Sequence, residues 1–383
     1  MNFADRLQAL ERQGLLRKRK IVEGPQSSTL VLNGRSYLSF CSNDYLGLAN
    51  HPELIQVVQQ SVAKFGVGGA SSHLVCGHSS PHEEVEHVLA KFIGLPKALY
   101  FSTGYMAAIG AIPALVSKGD AIFSDALNHA CLIDGIRLSK ADIHTYPHGD
   151  LSALESQLQK STSKNKLIVS DTVFSMDGDI ALIPKLLVLC EKYDAYLYLD
   201  DAHGFGVLGE EGKGSLSHFK VGYSPRIIYM GTLGKAAGVF GAFIAGSEDV
   251  IEWLVQKARS YVFTTAAPPM LAEAIITSIR LIKDEDWRRQ RIQQLITQLQ
   301  QGMKALDWTL LKSNTPIQPI IVGDNHAVMK LNDALLAEDI WVSAIRPPTV
   351  PANTARLRIS LSASHTESDV ERLVKTLKKL SYS

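Results

Sequence analysis

Lys235 stands alone in the stretch IIYMGTLGKAAGVFGAFIAG, residues 227 to 246, where no other side chain carries charge. Apolar surroundings disfavour an ammonium and lower its pKa from a reference of about 10.4, which leaves a nucleophilic amine that forms an imine with an aldehyde. Pyridoxal phosphate is the aldehyde cofactor to consider. It needs an anion for its ring nitrogen, a flat group against its ring, a donor near its phenolic oxygen and amide donors for its phosphate. Each requirement has a candidate. Asp200 ends the apolar run YLYLD, His129 opens a helical stretch, and Thr232 adds a hydroxyl three residues before the lysine. Gly104 and Tyr105 open the helix after FSTG, where unpaired backbone N–H groups suit an anion. Taken singly, each residue has an ordinary explanation: a solvated lysine, a turn-capping aspartate, a histidine facing water. Their order along the chain decides the matter. The glycine-aromatic helix start, His129, Ser175, D-D-A-H and T-x-G-K nearly all fall at strand ends, and so converge on one crevice at the carboxyl edge of a sheet.

Three other motifs fail on inspection. G-x-x-G-K-A around Lys235 lacks both the four-residue gap and the Ser/Thr of a nucleotide phosphate loop. GFGVLG, 204 to 209, satisfies G-x-G-x-x-G after a strand, but EEGKGSLSHF beyond it reads as loop and not as the helix a dinucleotide site requires. HEEVEH, 82 to 87, spaces its histidines five apart where a zinc helix needs four, so both are expected on the surface of a helix.

The elements that position these residues are legible from about residue 97 to 246. Short apolar runs (ALYFS, AIFSD, DIHTY, KLIVSDTVF, AYLYLDD, RIIYMGT, VFGAFIAG) alternate with helical stretches such as 129–139, 150–160 and 184–193. Strands apolar on both faces and separated by helices predict an α/β fold with a mostly parallel seven-stranded sheet covered by helices. The last two runs leave no room for a helix, so that neighbour is expected to be antiparallel. After residue 269 the texture becomes long charged helices, strands near 317–322, 341–345 and 355–361, and a final helix from about 366. The expected division is an N-terminal arm at 1–47 packing with the small domain, a large domain at 48–270, and a small C-terminal α+β domain at 271–383.

Composition narrows the class. With 39 Lys and Arg against 38 Asp and Glu there is no field to hold nucleic acid or an acidic membrane. Four scattered cysteines form neither a metal motif nor a disulfide frame, which fits a reducing cytoplasm. MNFADRLQALERQGLLRKRK reads as an amphipathic arm without the apolar core of a signal peptide. ALYFSTGYMAAIGAIPALVS, 98 to 117, is long enough to cross a bilayer, but it divides into a strand, a Ser-Thr-Gly turn and a buried helix.

CSNDYLGLANHPE, FGVGGASSHLVCGHSSPHEEVE, DTVFSMDGDIA, DDAHGFGVLGEEGKG and GTLGKAAG together resemble the blocks of the fold-type I pyridoxal phosphate enzymes, specifically the α-oxoamine synthases. IQPIIVGDN and VSAIRPPTVPANTARLRISLSASHT extend the resemblance over nearly the whole chain. They narrow it to members that join L-alanine to a pimeloyl thioester, carried on coenzyme A or on an acyl carrier protein. The resemblance implies Lys235 as the cofactor-linked lysine and Asp200 as partner of the ring nitrogen. His203 and Ser175 would serve the phenolic-oxygen side, His129 the ring face, and Gly104, Tyr105 and Thr232 the phosphate and its surroundings. Arg358 would take the amino acid carboxylate, with Arg17 and Thr349 in substrate contact. It also implies a homodimer, and it marks one departure: Gly77-His78 stands where relatives commonly have Gly-Tyr. The rivals are an α-oxoamine synthase using glycine or serine with a different acyl thioester, an aminotransferase, and a non-catalytic cofactor-binding regulator.

Overall fold

The structure is a computed structural model that describes residues 2–304 and 306–381. Strands β1 (Thr29–Leu32) and β2 (Arg35–Phe40) form an antiparallel hairpin. Its turn is Asn33-Gly34, with φ of 51° and 73°. An Asn-Gly pair tolerates that left-handed backbone best, which is why the run STLVLNGRSYLSF folds back at this point.

Seven strands follow in the larger sheet: β3 (Lys97–Phe101), β4 (Ala121–Asp125), β5 (Asp142–Tyr146), β6 (Lys166–Asp171), β7 (Tyr196–Asp200), β8 (Ile227–Thr232) and β9 (Ala242–Gly246). Their order is β3-β9-β8-β7-β6-β4-β5. From β8 through β5 every neighbour is parallel, and β9 runs antiparallel to both β8 and β3. The expected fold class and the expected antiparallel β8–β9 pair are both present. All five residues of β4 and of β9 are buried. Helices on both faces leave no solvated side, so alternation disappears from these runs. The uncharged stretch at 98–117 is the strand β3 followed by the helix Gly104–Leu115. Among the described residues no helix is long and apolar enough to cross a membrane.

The second sheet adds β10 (Thr309–Leu310), β11 (Ile317–Gly323), β12 (Ile340–Ile345) and β13 (Ala355–Ser360) to the hairpin, in the order β1-β2-β12-β13-β11-β10. β2 and β12 pair in parallel, with Leu38 opposite Ile340, and the remaining neighbours are antiparallel. The helix Asn325–Ala337 packs on β12, and the helices Trp287–Met303 and Glu367–Ser381 pack on each other.

The chain divides into two compact units, one of residues 51–174 and 180–286, the other of residues 1–50, 175–179 and 287–383. Apart from a first boundary at residue 50 in place of 47, this differs in two places from the division expected at residues 47 and 270. The helix Pro269–Asp284 packs against the helices Pro52–Phe65 and Ser80–Ile93, so it joins the larger unit. Residues 175–179 join the smaller one, because the Ser175 carbonyl accepts from Arg358 Nε at 2.6 Å and Asp177 pairs with Arg356 at 2.7 Å. A further correction concerns His82. It is fully buried instead of lying on a helix surface, because its Nε2–H donates to the Ala267 carbonyl at 2.8 Å.

Candidate active site

Four parallel strands place their last residues along one edge of the larger sheet: Asp125, Asp171, Asp200 and Thr232 end β4, β6, β7 and β8. Asp125 is consumed structurally, accepting from the backbone N–H groups of Leu127 and Gly149 at 2.9 and 3.0 Å. Asp171 and Asp200 sit in register on adjacent strands. Both are buried. The Asp200 carboxyl has its pKa pushed up to about 6, chiefly by burial, with the Lys235 ammonium opposing the rise. Asp171 is likewise raised well above the ordinary carboxyl value, first by burial and then by the charge of Asp200.

Lys235 lies in the loop between β8 and β9. Its neighbours Leu233, Ala236 and Ala237 are buried, whereas the lysine itself is only half-buried. Its Nζ lies 2.8 Å from His203 Nε2, and His203 is buried. His129 is the N-cap of the helix Ala130–Ser139. Its Nδ1 accepts from the Cys131 N–H at 3.3 Å, which puts the proton of the neutral ring on Nε2. Partial desolvation, then the Lys235 charge, lower its pKa and favour that neutral form.

Thr103 caps the helix Gly104–Leu115 by accepting from Met106 N–H at 3.1 Å. The first backbone N–H groups of that helix, those of Gly104 and Tyr105, have no partner within the helix, as at any helix start. A Cβ built on Gly104 would lie 2.7 Å from the Thr232 Cγ2 methyl, so the close approach of helix start and strand end requires glycine. Thr232 also donates from Oγ1 to the Ala202 carbonyl at 3.3 Å. Tyr105 is exposed, and its hydroxyl contacts the Asp134 carboxylate.

Within the larger unit, the structure therefore brings Gly104, Thr232, Asp200, His203 and Lys235 to one edge, with His129 tied to it through Asp171. Two contributors escape the sequence reading. Asp171 accepts the His129 backbone N–H at 2.6 Å, fixing where that histidine starts its helix. Cys131 places Sγ 3.0 Å from His129 Nδ1 and 3.8 Å from Asp200 Oδ2. The signal for Asp171 is present, since KLIVSD ends in a carboxylate as YLYLD does. The adjacent Asp201 is a structural anchor: it accepts from Tyr229 Oη and from Ser215 N–H, each at 2.7 Å, and from the Thr172 hydroxyl.

In the smaller unit, Arg358 is buried and, among the described residues, donates only to neutral acceptors: Ser175 O at 2.6 Å, Asn43 Oδ1 at 3.1 Å, Ser360 Oγ at 2.8 Å and Tyr45 Oη at 3.2 Å. Arg356, two residues earlier, has its own carboxylate in Asp177 at 2.7 Å. A buried guanidinium without a counter-ion among the described residues is suited to receive an anion. Arg17 and Thr349 are brought together, Nη2 to Oγ1 at 3.3 Å, and both are exposed. His78 hydrogen-bonds to His73 and Glu83.

These residues fit pyridoxal phosphate: a lysine amine, a buried carboxylate with raised proton affinity, and a glycine-lined helix start lie on one sheet edge. Comparison with known proteins gives the same direction. The profile of the family described as aminotransferase class I and II matches residues 35–377. An 8-amino-7-oxononanoate synthase from Polaromonas sp. (strain JS666) is 56% identical over 99% of this chain and 95% of its own length. A crystal structure of 8-amino-7-oxononanoate synthase from Francisella tularensis aligns with a TM-score of 0.79 at 33% identity, covering 90% of this chain and 97% of that one. A serine palmitoyltransferase from S. paucimobilis, holding a pyridoxal phosphate–myriocin aldimine, aligns with a TM-score of 0.93 at 28% identity, covering 98% and 96%.

Proposed function

This chain belongs to the class I and II aminotransferase family, among the 8-amino-7-oxononanoate synthases, and from that membership we propose that it condenses L-alanine with a pimeloyl thioester. The products are 8-amino-7-oxononanoate, carbon dioxide and the free thiol of the acyl carrier. The chain is a pyridoxal phosphate-dependent acyltransferase of biotin biosynthesis. The observation that carries the reading is the Lys235 amine, 2.8 Å from His203, whose charge acts on the buried carboxylate of Asp200.

Bound here, pyridoxal phosphate supplies an aldehyde for amines and a cationic ring that accepts the electron pair left at Cα. Lys235 Nζ would be the amine that holds the cofactor's aldehyde, and when free it would be the base for the Cα proton of L-alanine. His203 Nε2, within hydrogen-bond reach of Nζ, orients the amine and can share its proton. Asp200, kept from water, would be the carboxylate that favours a proton on the cofactor's ring nitrogen. His129, a flat imidazole whose neutral form is favoured, would serve the ring face and shield it from solvent. The N–H groups of Gly104 and Tyr105, with Thr232, hold the phosphate. Ser175 is assigned to the phenolic-oxygen side with His203. Arg358 grips the alanine carboxylate with its planar fork and so fixes which bond at Cα is broken. Arg17 and Thr349 are assigned to the acyl substrate. Positioning of this kind can be worth effective molarities of about 10⁵ M or more.

We assign the protein to the cytoplasm and its working form to a homodimer. Val75 and Phe263 are 77% and 70% exposed, close to the Ser72–Thr265 bridge, which supports a surface covered by a second copy. The test is direct. The purified protein should show a visible absorbance band that borohydride removes, with the modification mapping to Lys235, and carbon dioxide release should require L-alanine in preference to glycine or serine. A modified residue other than Lys235, or preference for glycine or serine, overturns the assignment.

A further inference from the structure

Beside the carboxyl end of β3, where His82 packs on Tyr100, a short π-helix (His73–Gly77) is followed at once by the helix Ser80–Ile93. Together they bring three imidazoles to one place. His73 Nδ1 lies 2.9 Å from His78 Nδ1, and His82 packs against both rings, with centroids 5.0 and 5.6 Å away. One ring nitrogen from each histidine lies within 4.8 Å of the others. In the single chain His73 and His82 are buried, and about a quarter of the His78 side chain is exposed. Among the described residues the π-helix is the only one, and such distortions recur at functional sites.

We propose that His73, His78 and His82 form a binding site for a divalent transition-metal ion. The surrounding hydrogen bonds have the form that metal-binding histidines show, in which the ring nitrogen opposite the metal donates to a carboxylate or backbone carbonyl. His78 directs Nε2 to the Glu83 carboxylate at 3.1 Å, which leaves the lone pair on Nδ1. His82 donates Nε2–H to the Ala267 carbonyl at 2.8 Å, which does the same. His73 is held by stacking on Tyr261, with centroids 4.7 Å apart and planes 13° apart. Imidazole ligands select zinc, cobalt, nickel and copper over magnesium or calcium.

Binding requires small changes. Two nitrogens on a tetrahedral zinc ion lie about 3.3 Å apart, so the His73–His78 contact opens slightly. The proton between these two Nδ1 atoms moves to Nε2 of His73, and both rings stay neutral. His82 Nδ1 also accepts from Ser79 N–H at 3.0 Å and lies 2.9 Å from Ser79 Oγ, so the ion replaces the Ser79 donors at that nitrogen. The occupied site ties the π-helical segment to the start of the following helix.

The experiment uses full-length holoenzyme stripped with a chelator and dialysed. Titration with zinc by calorimetry, and with cobalt by visible absorbance, should show one ion per chain and the strong bands of tetrahedral cobalt. His78→Tyr and His73→Gln should each weaken zinc binding about 100-fold or more, and Glu83→Gln about tenfold. Cys76→Ser, which removes the exposed thiol of the π-helix, should leave binding intact. The proposal falls if the wild type shows no saturable binding of one equivalent. It falls equally if His78→Tyr or Glu83→Gln binds as tightly as wild type, or if Cys76→Ser abolishes binding.

Discussion

Replacing Asp200 by asparagine in the cofactor-free protein should change how stability depends on pH. Folded, the Asp200 carboxyl titrates at about 6, against a reference of 3.8. The folded chain therefore binds this proton more tightly than the unfolded chain. Its stabilising effect is complete below the unfolded value and is lost as pH rises through the folded one. A gap of about 2.2 pH units at about 1.36 kcal/mol each amounts to about 3 kcal/mol over the whole span. Roughly half of this falls between pH 5 and pH 8, the convenient range for measurement. At about 2.1 cal/mol/K per residue, a chain of this length unfolds with an entropy near 0.8 kcal/mol/K, so the shift is about 2 °C. The substituted asparagine has no charge to titrate, and its amide oxygen can still accept the Ala202 N–H that Asp200 Oδ1 now accepts. The thermal midpoint of wild type minus that of Asp200→Asn should thus fall by about 2 °C from pH 5 to pH 8. A difference that stays flat, or rises with pH, refutes the idea that Asp200 is a buried carboxyl awaiting a cationic partner.

Three further outcomes are expected. Gly104→Ala sets a methyl against Thr232 Cγ2 and should weaken cofactor binding about tenfold, at an overpacking cost of about 1–3 kcal/mol; the added change Thr232→Ser deletes that methyl and should restore binding, as equilibrium dialysis can measure. Arg358→Lys removes one of two charge-assisted bonds to a carboxylate, about 1.5–3 kcal/mol, and should lower kcat/KM for L-alanine about 10- to 100-fold; Arg356→Lys, whose partner is Asp177, should leave kcat/KM within a few-fold, and equal losses in steady-state assays would contradict the assignment. Sedimentation velocity at working concentration should find a dimer, and a purely monomeric boundary would dismiss that assembly.

Much of the larger unit can be read directly because its signals are local. Runs such as AIFSD and AFIAG are buried on both faces, and His129, Asp200 and Lys235 stand at breaks in the pattern where polar residues need a reason. What escapes is non-local. Nothing near Pro269 tells that its helix packs on helices about 200 residues earlier, so the expected boundary falls too early. The parallel pairing of β2 with β12 has no sequence signature, since parallel partners share no turn. His82 reads as a surface residue because helical periodicity cannot foresee a carbonyl at residue 267 arriving to bind it. Arg356 and Arg358 are chemically identical in ARLRIS, and only Asp177 beside the first separates a paired guanidinium from one left for a ligand.

The β2–β12 pairing carries a consequence for synthesis on the ribosome. Leu38 meets Ile340, so the hairpin emerges 302 residues before the strand that completes its sheet. At about 5–20 residues per second, that interval is roughly 15–60 s, during which one rim of β2 offers unpaired N–H and C=O groups to any passing strand. The nascent chain, more than the finished enzyme, is therefore the form most exposed to misassembly. Shielding by a chaperone should matter most before residue 340 has been made.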